Sequence, residues 1–214
     1  PLAVMQTNLE VFARKKTPTI EEYQDIFGMI QNQTERLSHL SEVLLDMTGI
    51  QSVERSDSIS LAELTDEVCC DLAAIADQKK VELIQEEGDC TVTGSYLLLY
   101  RAVYNLVENA IKYNHSGGKV TVKISQKKDL PAAHSKPADY ALVEVTDTGI
   151  GISPEFQEKI FAPFFRVDKS RSRAMGGAGL GLALVAEIAR QHGGQVKVLA
   201  SSEKGSTIAL VLPI

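Results

Sequence analysis

A seven-residue repeat of apolar side chains between residues 23 and 47 constrains the fold of this chain more than any other pattern. Apolar residues recur there at intervals of three and four, with the polar Gln33 in the seam, and this spacing predicts one long amphipathic helix ending at Gly49. Residues 1–16 carry a shorter helical pattern, and the segment Lys15–Pro18 separates the two because proline cannot continue a helix. The N-terminal part is therefore predicted to form a helical hairpin.

Two helices with such apolar seams cannot bury them alone in water. A symmetric homodimer through residues 1–50, in which two hairpins form a four-helix bundle, is the simplest way to cover both seams. The alternative is that the hairpin packs against the rest of its own chain. The sequence favours the homodimer but leaves both arrangements open.

The composition limits the classes of function. Hydrophobic residues make up 44% and charged residues 23% of the 214 residues, which provides the apolar mass for a core. A net charge of -6 argues against nucleic acid as the main partner. The three cysteines fit neither a disulfide framework nor a metal-binding spacing, so they are interpreted as core residues in a reducing compartment. We find no signal peptide and no apolar run near the roughly 18 residues of a membrane-spanning helix.

A polar segment at residues 51–57 is interpreted as a linker to a second domain at residues 58–214. Helical periodicity and strand-like alternation follow one another in that domain, with an exposed loop at residues 127–139. Strands are predicted over residues 59–61, 81–85, 90–93, 119–126, 140–146, 195–200 and 207–212. This order predicts an α+β fold, in which helices lie on one face of a mixed sheet in a two-layer sandwich.

A predicted helix that Ser95 could cap carries an unusual pair of asparagines. Asn105 and Asn109 lie one above the other beside the apolar face, although asparagine is a poor residue for a helix interior. The pattern fits a solvated strip or a binding site equally well from this helix alone. The apolar face is predicted to consist of Leu97, Val103, Leu106, Val107, Ala110 and Ile111.

An acidic residue at the end of a predicted strand precedes two alternating glycines, in the pattern Asp147-x-Gly149-x-Gly151. Such glycines allow the backbone to approach a flat ligand closely, and the carboxylate can accept a hydrogen bond from an exocyclic amine such as that of adenine. The same pattern also occurs in ordinary turns, so it predicts a site only in combination with other motifs.

A second glycine-rich stretch, Gly177-x-Gly179-x-Gly181, leads into an apolar helix and predicts an anion site at the helix N-terminus. It fits neither the P-loop nor the dinucleotide-binding pattern. Between the two glycine motifs, Phe161-x-x-Phe164-Phe165 is followed by four cations, which we interpret as a lid suited to a polyphosphate. These cations are Arg166, Lys169, Arg171 and Arg173. A last glycine element, Gly205-Ser-Thr207, could equally be a hairpin turn.

The four motifs together, in this order and at these spacings, resemble the N, G1, F and G2 boxes of the sensor histidine kinases of two-component systems. The resemblance covers almost the whole chain, since residues 1–49 look like the dimerisation hairpin of that family. It implies an ATP-binding sandwich of the type shared with gyrase and Hsp90. It also implies Mg-ATP as the bound nucleotide, a homodimer, and a response-regulator receiver domain as the partner. The kinase domain would lie on the cytoplasmic side of a membrane sensor.

The resemblance also implies residue roles. Asn105 and Asn109 would hold Mg²⁺, for which amide oxygens are suitable ligands. Lys112 and the lid arginines would contact phosphates, while Asp147 would accept a hydrogen bond from the adenine amine. The full set of implied ATP-binding residues is Asn109, Lys112, Tyr113, Asp147, Gly149, Gly151, Ile152, Phe165, Arg166, Arg171, Gly177, Gly179, Leu180, Gly181, Leu182 and Thr207.

The acceptor histidine of that family stands in a His-Glu-x-x-Thr-Pro-Leu pattern, and this chain opens with Pro1 and Leu2. By resemblance, Pro1 is the proline of that pattern. We therefore expect the acceptor histidine to lie upstream of Pro1, and expect this chain to bind ATP without labelling itself.

Two alternatives to a histidine kinase remain. One is another ATPase or a serine kinase of the same superfamily, although clamp ATPases place a glutamate where Asn105 stands. The other is a non-catalytic nucleotide-binding module for dimerisation.

Overall fold

The N-terminal hairpin consists of helices α1 (Leu2–Ala13) and α2 (Ile20–Gly49). In this computed structural model the described residues are 2–15, 17–49, 53–130, 138–167 and 179–214, without the side chains of 35, 36, 38–49, 129, 130 and 138. The two predicted helices are therefore present. Thr19 begins α2 with reciprocal bonds, because its hydroxyl accepts from the Glu22 N–H at 3.3 Å and its own N–H donates to the Glu22 carboxylate at 3.1 Å.

The expected position of the acceptor histidine is not tested by the structure. Pro1, the residue upstream of which that histidine is expected, lies outside the described residues, which begin at Leu2. The assignment of Pro1 to the family's Thr-Pro-Leu sequence therefore stays a prediction.

The hairpin leaves much of its apolar surface uncovered in the single chain. The rings of Phe12 and Tyr23 meet edge to face, with centroids 5.1 Å apart, and α2 also contacts the second domain. No residue of α1 is buried. The predicted homodimer would cover this surface and stays a prediction, as do the domain boundaries. The exposed apolar side chains are Leu2, Val4, Leu9, Val11, Ile20, Tyr23 and Phe27.

The second domain alternates helices and strands as predicted. Two short 3₁₀ turns, Pro154–Phe156 and Lys159–Phe161, follow β5. In chain order the elements are β1 (Asp57–Ser60), α3 (Leu61–Lys79), β2 (Glu82–Gln85), β3 (Thr91–Gly94), α4 (Tyr96–Lys112), β4 (Lys119–Leu130), β5 (Ala138–Asp147), α5 (Gly181–Gln191), β6 (Gln195–Ser202) and β7 (Gly205–Pro213).

The main sheet has five strands in the order β2-β4-β5-β7-β6. β2 runs parallel to β4, and the remaining neighbours are antiparallel, while β1 and β3 form a separate two-stranded ribbon. Helices α3, α4 and α5 pack on one face of the five-stranded sheet and enclose the main core. The predicted α+β sandwich with a mixed sheet is thus confirmed.

Periodicity predicted most of the buried face of α4 but misplaced Leu97 at its start. Val103, Val107 and Ile111 are buried, whereas Leu97 is 55% exposed and does not belong to the apolar face. Leu97 lies on the exposed side of the first turn, whereas its neighbours Leu98 and Leu99 are buried in the core. Ser95 occupies the N-cap position, but its hydroxyl makes no capping bond; Ser60, by contrast, caps α3 through the Glu63 N–H.

The hairpin β4–β5 is longer than its alternating pattern predicted. β4 continues to Leu130 and β5 begins at Ala138, so strands occupy both ends of the loop predicted at residues 127–139. Residues 131–137 lie outside the described part of the chain. This extension lies at the end of the sheet opposite Asp147, which ends β5.

Candidate functional site

A cavity of about 480 Å³ opens between the C-terminal half of α4, the end of β5 and the start of α5. It brings together residues from all four sequence motifs. The predicted site residues that line it are Asn105, Asn109, Lys112, Tyr113, Asp147, Gly151, Ile152, Phe165, Arg166, Gly179, Gly181 and Leu182.

The two asparagines of α4 are held with a defined orientation. The Nδ2 group of Asn105 donates to the Arg101 carbonyl at 2.8 Å, and that of Asn109 donates to the Asn105 carbonyl at 2.8 Å. Each amide nitrogen is thus used within the helix, one turn back. Both side chains line the cavity, and their amide oxygens remain available as acceptors.

The first turn of α5 faces these asparagines at close range. A Cβ added to Gly181 would lie 2.6 Å from Asn105 Oδ1 and 3.6 Å from Asn109 Nδ2, so only glycine leaves this space open. The first N–H groups of a helix have no partners within the helix and carry its positive dipole end. Leu180, at the N-cap position, is buried and does not line the cavity. The amide oxygen of Asn105 therefore lies close to the start of α5.

Asp147 lies at the end of β5 and supplies the carboxylate of the cavity. Its Oδ1 accepts from the Gly149 N–H at 2.7 Å, and the backbone N–H of Ser206 also donates to this carboxylate. Burial raises the pKa of Asp147 because it disfavours the charged form, and the two backbone hydrogen bonds oppose that rise. The carboxylate is therefore fixed in place by the backbone on both sides.

The loop after Asp147 is packed against backbone from two directions. A Cβ added to Gly149 would lie 2.5 Å from the Tyr113 carbonyl oxygen. Gly151 has a left-handed φ of 69°, and a Cβ added there would lie 1.8 Å from the Ser202 carbonyl oxygen. The Ile152 N–H donates to Ser201 Oγ at 2.7 Å. Gly149 thus lies behind the cavity rather than on its wall, and both glycines are required by close backbone approach.

Thr207 points away from the cavity. It pairs with Thr146 across the strands, and the two hydroxyls lie 3.0 Å apart on the outer face of the sheet. Side chains alternate between the two faces of a strand, so its neighbour Ser206, paired with Asp147, lines the cavity instead. The structure thus places Ser206, and not Thr207, in the lining of this cavity; the predicted role of Thr207 near the base stays a prediction.

The phenylalanine motif forms the side of the cavity next to α5. Phe165 packs on Phe156 with ring centroids 5.8 Å apart, and the Phe164 N–H donates to the Gly179 carbonyl at 2.9 Å. Gly179 has a φ of 72°, and a Cβ there would lie 2.8 Å from the Phe165 carbonyl oxygen. The predicted residues Lys169, Arg171, Arg173 and Gly177 lie outside the described residues.

About half of the residues that line the cavity were not predicted from the sequence. Val145 and Ile208 face inward on paired strands, and Glu108 directly precedes Asn109 on α4. Val145 could have been found from strand alternation, because it lies two residues before Asp147 and therefore faces the same side of β5. The other lining residues on strands depend on how the strands pair, which the sequence does not show. The residues not predicted are Leu106, Glu108, Ala110, Val145, Ile150, Ser153, Ile160, Val167, Ser206 and Ile208.

The donor set of the cavity suits a hard cation bridged by a ligand. Within the described ranges no three His, Cys, Asp or Glu side chains form a cluster that could hold a metal ion. The available donors are the oriented amide oxygens of Asn105 and Asn109, and Mg²⁺ accepts one or two protein oxygens together with water and substrate phosphates.

In the part of the chain that the structure describes, no helix combines the length and apolar character needed to cross a membrane.

Comparison with known families places these motifs in context. Residues 94–214, more than half of the chain, match the family described as histidine kinase-, DNA gyrase B-, and HSP90-like ATPase. The chain is 33% identical over 220 residues to the sensor histidine kinase RppB of Synechocystis sp., covering 100% of this chain and 46% of that protein. It is 30% identical over 217 residues to the sensor histidine kinase WalK of Bacillus subtilis, covering 100% of this chain and 34% of that protein. The chain thus spans less than half the length of these relatives.

Solved structures agree with the fold. The mycobacterial sensor histidine kinase MprB superimposes with a TM-score of 0.58 at 29% identity, covering 74% of this chain and 97% of that one. The Acinetobacter baumannii histidine kinase AdeS superimposes with a TM-score of 0.69 at 20% identity, covering 100% of this chain and 94% of that one. Histidine kinase ThkA, solved in complex with the response regulator TrrA, gives a TM-score of 0.70 at 21% identity, covering 100% and 57%.

Proposed function

Because the chain belongs to the histidine kinase-, DNA gyrase B- and HSP90-like ATPase family, we propose that its cavity binds Mg-ATP and presents the γ-phosphate to a histidine. The observation that carries this proposal is the presence of an acceptor carboxylate, Asp147, and two oriented side-chain amides, Asn105 and Asn109, in the lining of one cavity. A nucleotide has an exocyclic amine at one end and a metal-bound triphosphate at the other, so it matches both groups at once.

The base end of the proposed site is apolar with one polar group. Val145, Ile152 and Ile208 supply an apolar wall around Asp147, as a flat base requires. The backbone bonds from Gly149 and Ser206 hold the carboxylate ready to accept from the adenine amine. Guanine carries a carbonyl oxygen at the equivalent position, which a carboxylate would repel. The arrangement therefore favours adenine.

The phosphate end is polar and positively charged. Lys112 and Arg166 line it, and the N-terminus of α5 at Gly181 offers backbone N–H groups to phosphate oxygens. Bound Mg²⁺ would supply charge neutralisation between the β- and γ-phosphates. Asn105 and Asn109 would orient it through their amide oxygens. The chain's own contribution to the reaction is thus positioning and electrostatic stabilisation, with no covalent step on the protein side of the cavity.

We further propose that the phosphoryl group passes to a histidine on a helical hairpin and then to an aspartate of a response regulator. The sensor histidine kinase relatives support the first step, and the complex of ThkA with TrrA supports such a regulator as partner. The uncovered apolar surface of α1 and α2 supports a homodimer through residues 1–50. ATP is a cytoplasmic substrate, so the kinase portion would work on that side of the membrane.

The substitution Asp147→Asn tests the assignment of the base end. An asparagine keeps the size of the side chain but can turn its amide toward the adenine amine as a second donor. Losing a charge-assisted hydrogen bond is expected to weaken ATP binding by about tenfold or more. GTP binding is expected to fall less or to improve, because an amide can donate to the guanine oxygen. Calorimetric titration of both nucleotides measures the two affinities.

The matched control is Asp66→Asn, which removes the same charge from the exposed face of α3. It is expected to leave both affinities unchanged. An Asp147→Asn variant that melts like the wild type and keeps its ATP affinity and its preference over GTP would show that the base is not recognised by this carboxylate.

A further inference from the structure

Lys79, the last residue of α3, contacts the end of the helix that carries the asparagines. Its Nζ donates to the Ile111 carbonyl at 3.2 Å and to the Lys112 carbonyl. These carbonyls belong to the last turn of α4, and that of Ile111 also accepts from the Asn114 N–H at 3.3 Å. One side chain from a neighbouring helix therefore contacts two acceptors at the C-terminus of α4, where a cation also complements the negative dipole end.

The position of Lys79 is unusual for a lysine. The residue is half-buried, and burial lowers the pKa of its ammonium group because it disfavours the charged form. A second contact lies beside it, since the Gly117 N–H donates to the Lys80 carbonyl at 2.7 Å. The end of α3 is thus joined both to the last turn of α4 and to the turn that follows. A freely solvated lysine would have neither the burial nor the paired carbonyls.

The backbone that Lys79 holds continues directly into the cavity wall. Lys112 and Tyr113 both line the cavity, and the Tyr113 carbonyl accepts from the Ile150 N–H at 3.3 Å. Gly149 packs against the same carbonyl. A shift of the last turn of α4 would therefore move a side chain at the phosphate end and, through Tyr113, the loop that fixes Asp147.

We propose that Lys79 is a positioning residue for the nucleotide site, acting through the backbone of Ile111–Tyr113 on Lys112 and on the Asp147 loop. This inference rests on the proposed function. Lys79 does not itself line the cavity, so its effect is indirect: the ammonium fixes where the α4 terminus lies, and the terminus fixes the Lys112 side chain.

The substitution Lys79→Met removes the donor and keeps the length of the side chain. It is expected to weaken Mg-ATP binding about fivefold to tenfold in calorimetric titrations made well below the melting temperature of the variant. Lys79→Arg retains donors for both carbonyls and is expected to bind within about threefold of the wild type. Should Lys79→Met not fold, Lys79→Gln replaces it, because its side chain is too short to reach both carbonyls, and the same loss is expected.

Ser60→Ala is the control for general destabilisation of α3. It removes the N-cap at the other end of the same helix, which lowers stability by about 1 kcal/mol, and it is expected to leave ATP affinity unchanged. If Ser60→Ala weakens ATP binding as much as Lys79→Met does, the effect of Lys79 is merely structural and the inference is wrong.

A double-mutant cycle with Lys112→Ala separates positioning from stability. If Lys79 acts partly through Lys112, then Lys79→Met should cost clearly less affinity in the Lys112→Ala background than in the wild type. Full additivity would overturn the inference. A wild type that binds no ATP would refute the proposed function itself, whereas a wild type that binds and a Lys79→Met variant that binds equally well would refute only the role of Lys79.

Discussion

Replacing Gly181 by alanine tests the geometry of the phosphate end most sharply. The new methyl would lie 2.6 Å from Asn105 Oδ1, whereas ordinary contact begins at 3.4 Å. The asparagine side chain must therefore turn away, which strains or breaks its 2.8 Å bond to the Arg101 carbonyl. Since Mg²⁺ requires oxygen ligands at about 2.0–2.1 Å in near-ideal octahedral geometry, a displacement of this size removes the amide oxygen as a ligand.

The fold is expected to survive this substitution. The atom that must move is the end of a side chain, and its lost hydrogen bond costs about 1 kcal/mol. Replacing glycine by alanine in a helix stabilises the fold by a similar free energy, roughly 0.5–1 kcal/mol. The melting temperature should thus change by only a few degrees. Mg-ATP affinity should fall about tenfold or more, which is the usual cost of removing a residue that supports a metal site.

Calorimetric titration of ATP with Mg²⁺ and with a chelator distinguishes the metal-dependent part. Gly181→Ala should lose affinity chiefly when Mg²⁺ is present. Gly28→Ala on α2 is the matched control, because a Cβ there meets nothing within 4 Å, and it should leave ATP binding unchanged. A Gly181→Ala protein that binds Mg-ATP as tightly as the wild type would refute the assignment of Asn105 as a metal ligand.

Two further predictions concern the histidines. The first is that burial lowers the pKa of His192, whose Nε2 accepts from the Ser95 N–H at 3.1 Å and whose Nδ1 lies 2.8 Å from the Ile188 carbonyl. As the pH falls, this histidine is protonated in the unfolded chain before it is protonated in the folded chain, so stability should be constant above pH 7 and fall as the pH drops below about 6.5. Urea unfolding should show this pH dependence in the wild type and not in His192→Asn. The second is that incubation with labelled Mg-ATP should leave no acid-labile label on this chain, because none of its four histidines stands in a His-Glu-x-x-Thr-Pro-Leu context; robust labelling would contradict it.

The elements and most of the site residues could be predicted because each carries a local signal. The Asn105–Asn109 pair, the acid at a strand end and the glycines before α5 are all patterns within a few residues of sequence. Helical periodicity likewise predicted most of the buried face of α4. Only the structure, however, shows that the amide nitrogens of both asparagines donate back into the helix and that the Asn105 oxygen lies toward Gly181.

The sequence-based predictions fail where the position of a side chain depends on strand pairing or on how the helices pack. A slip of one residue moves a strand's side chains to the other face, and the sequence Gly205-Ser-Thr does not say which residue pairs with Asp147. Leu97 is apolar, yet it lies on the exposed side of the first turn of α4, while its neighbours Leu98 and Leu99 are buried. Lys79 resembles any lysine at a helix end; its contact with α4, 33 residues away, depends on how the two helices pack.

A crystal structure of this chain with Mg²⁺ and a non-hydrolysable ATP analogue would test the central claim most directly. We expect the adenine amine within hydrogen-bonding distance of the Asp147 carboxylate, the metal on the amide oxygen of Asn109, and the phosphates at the N-terminus of α5. A nucleotide bound elsewhere, or a base pointing away from Asp147 with the metal held by other residues, would contradict it.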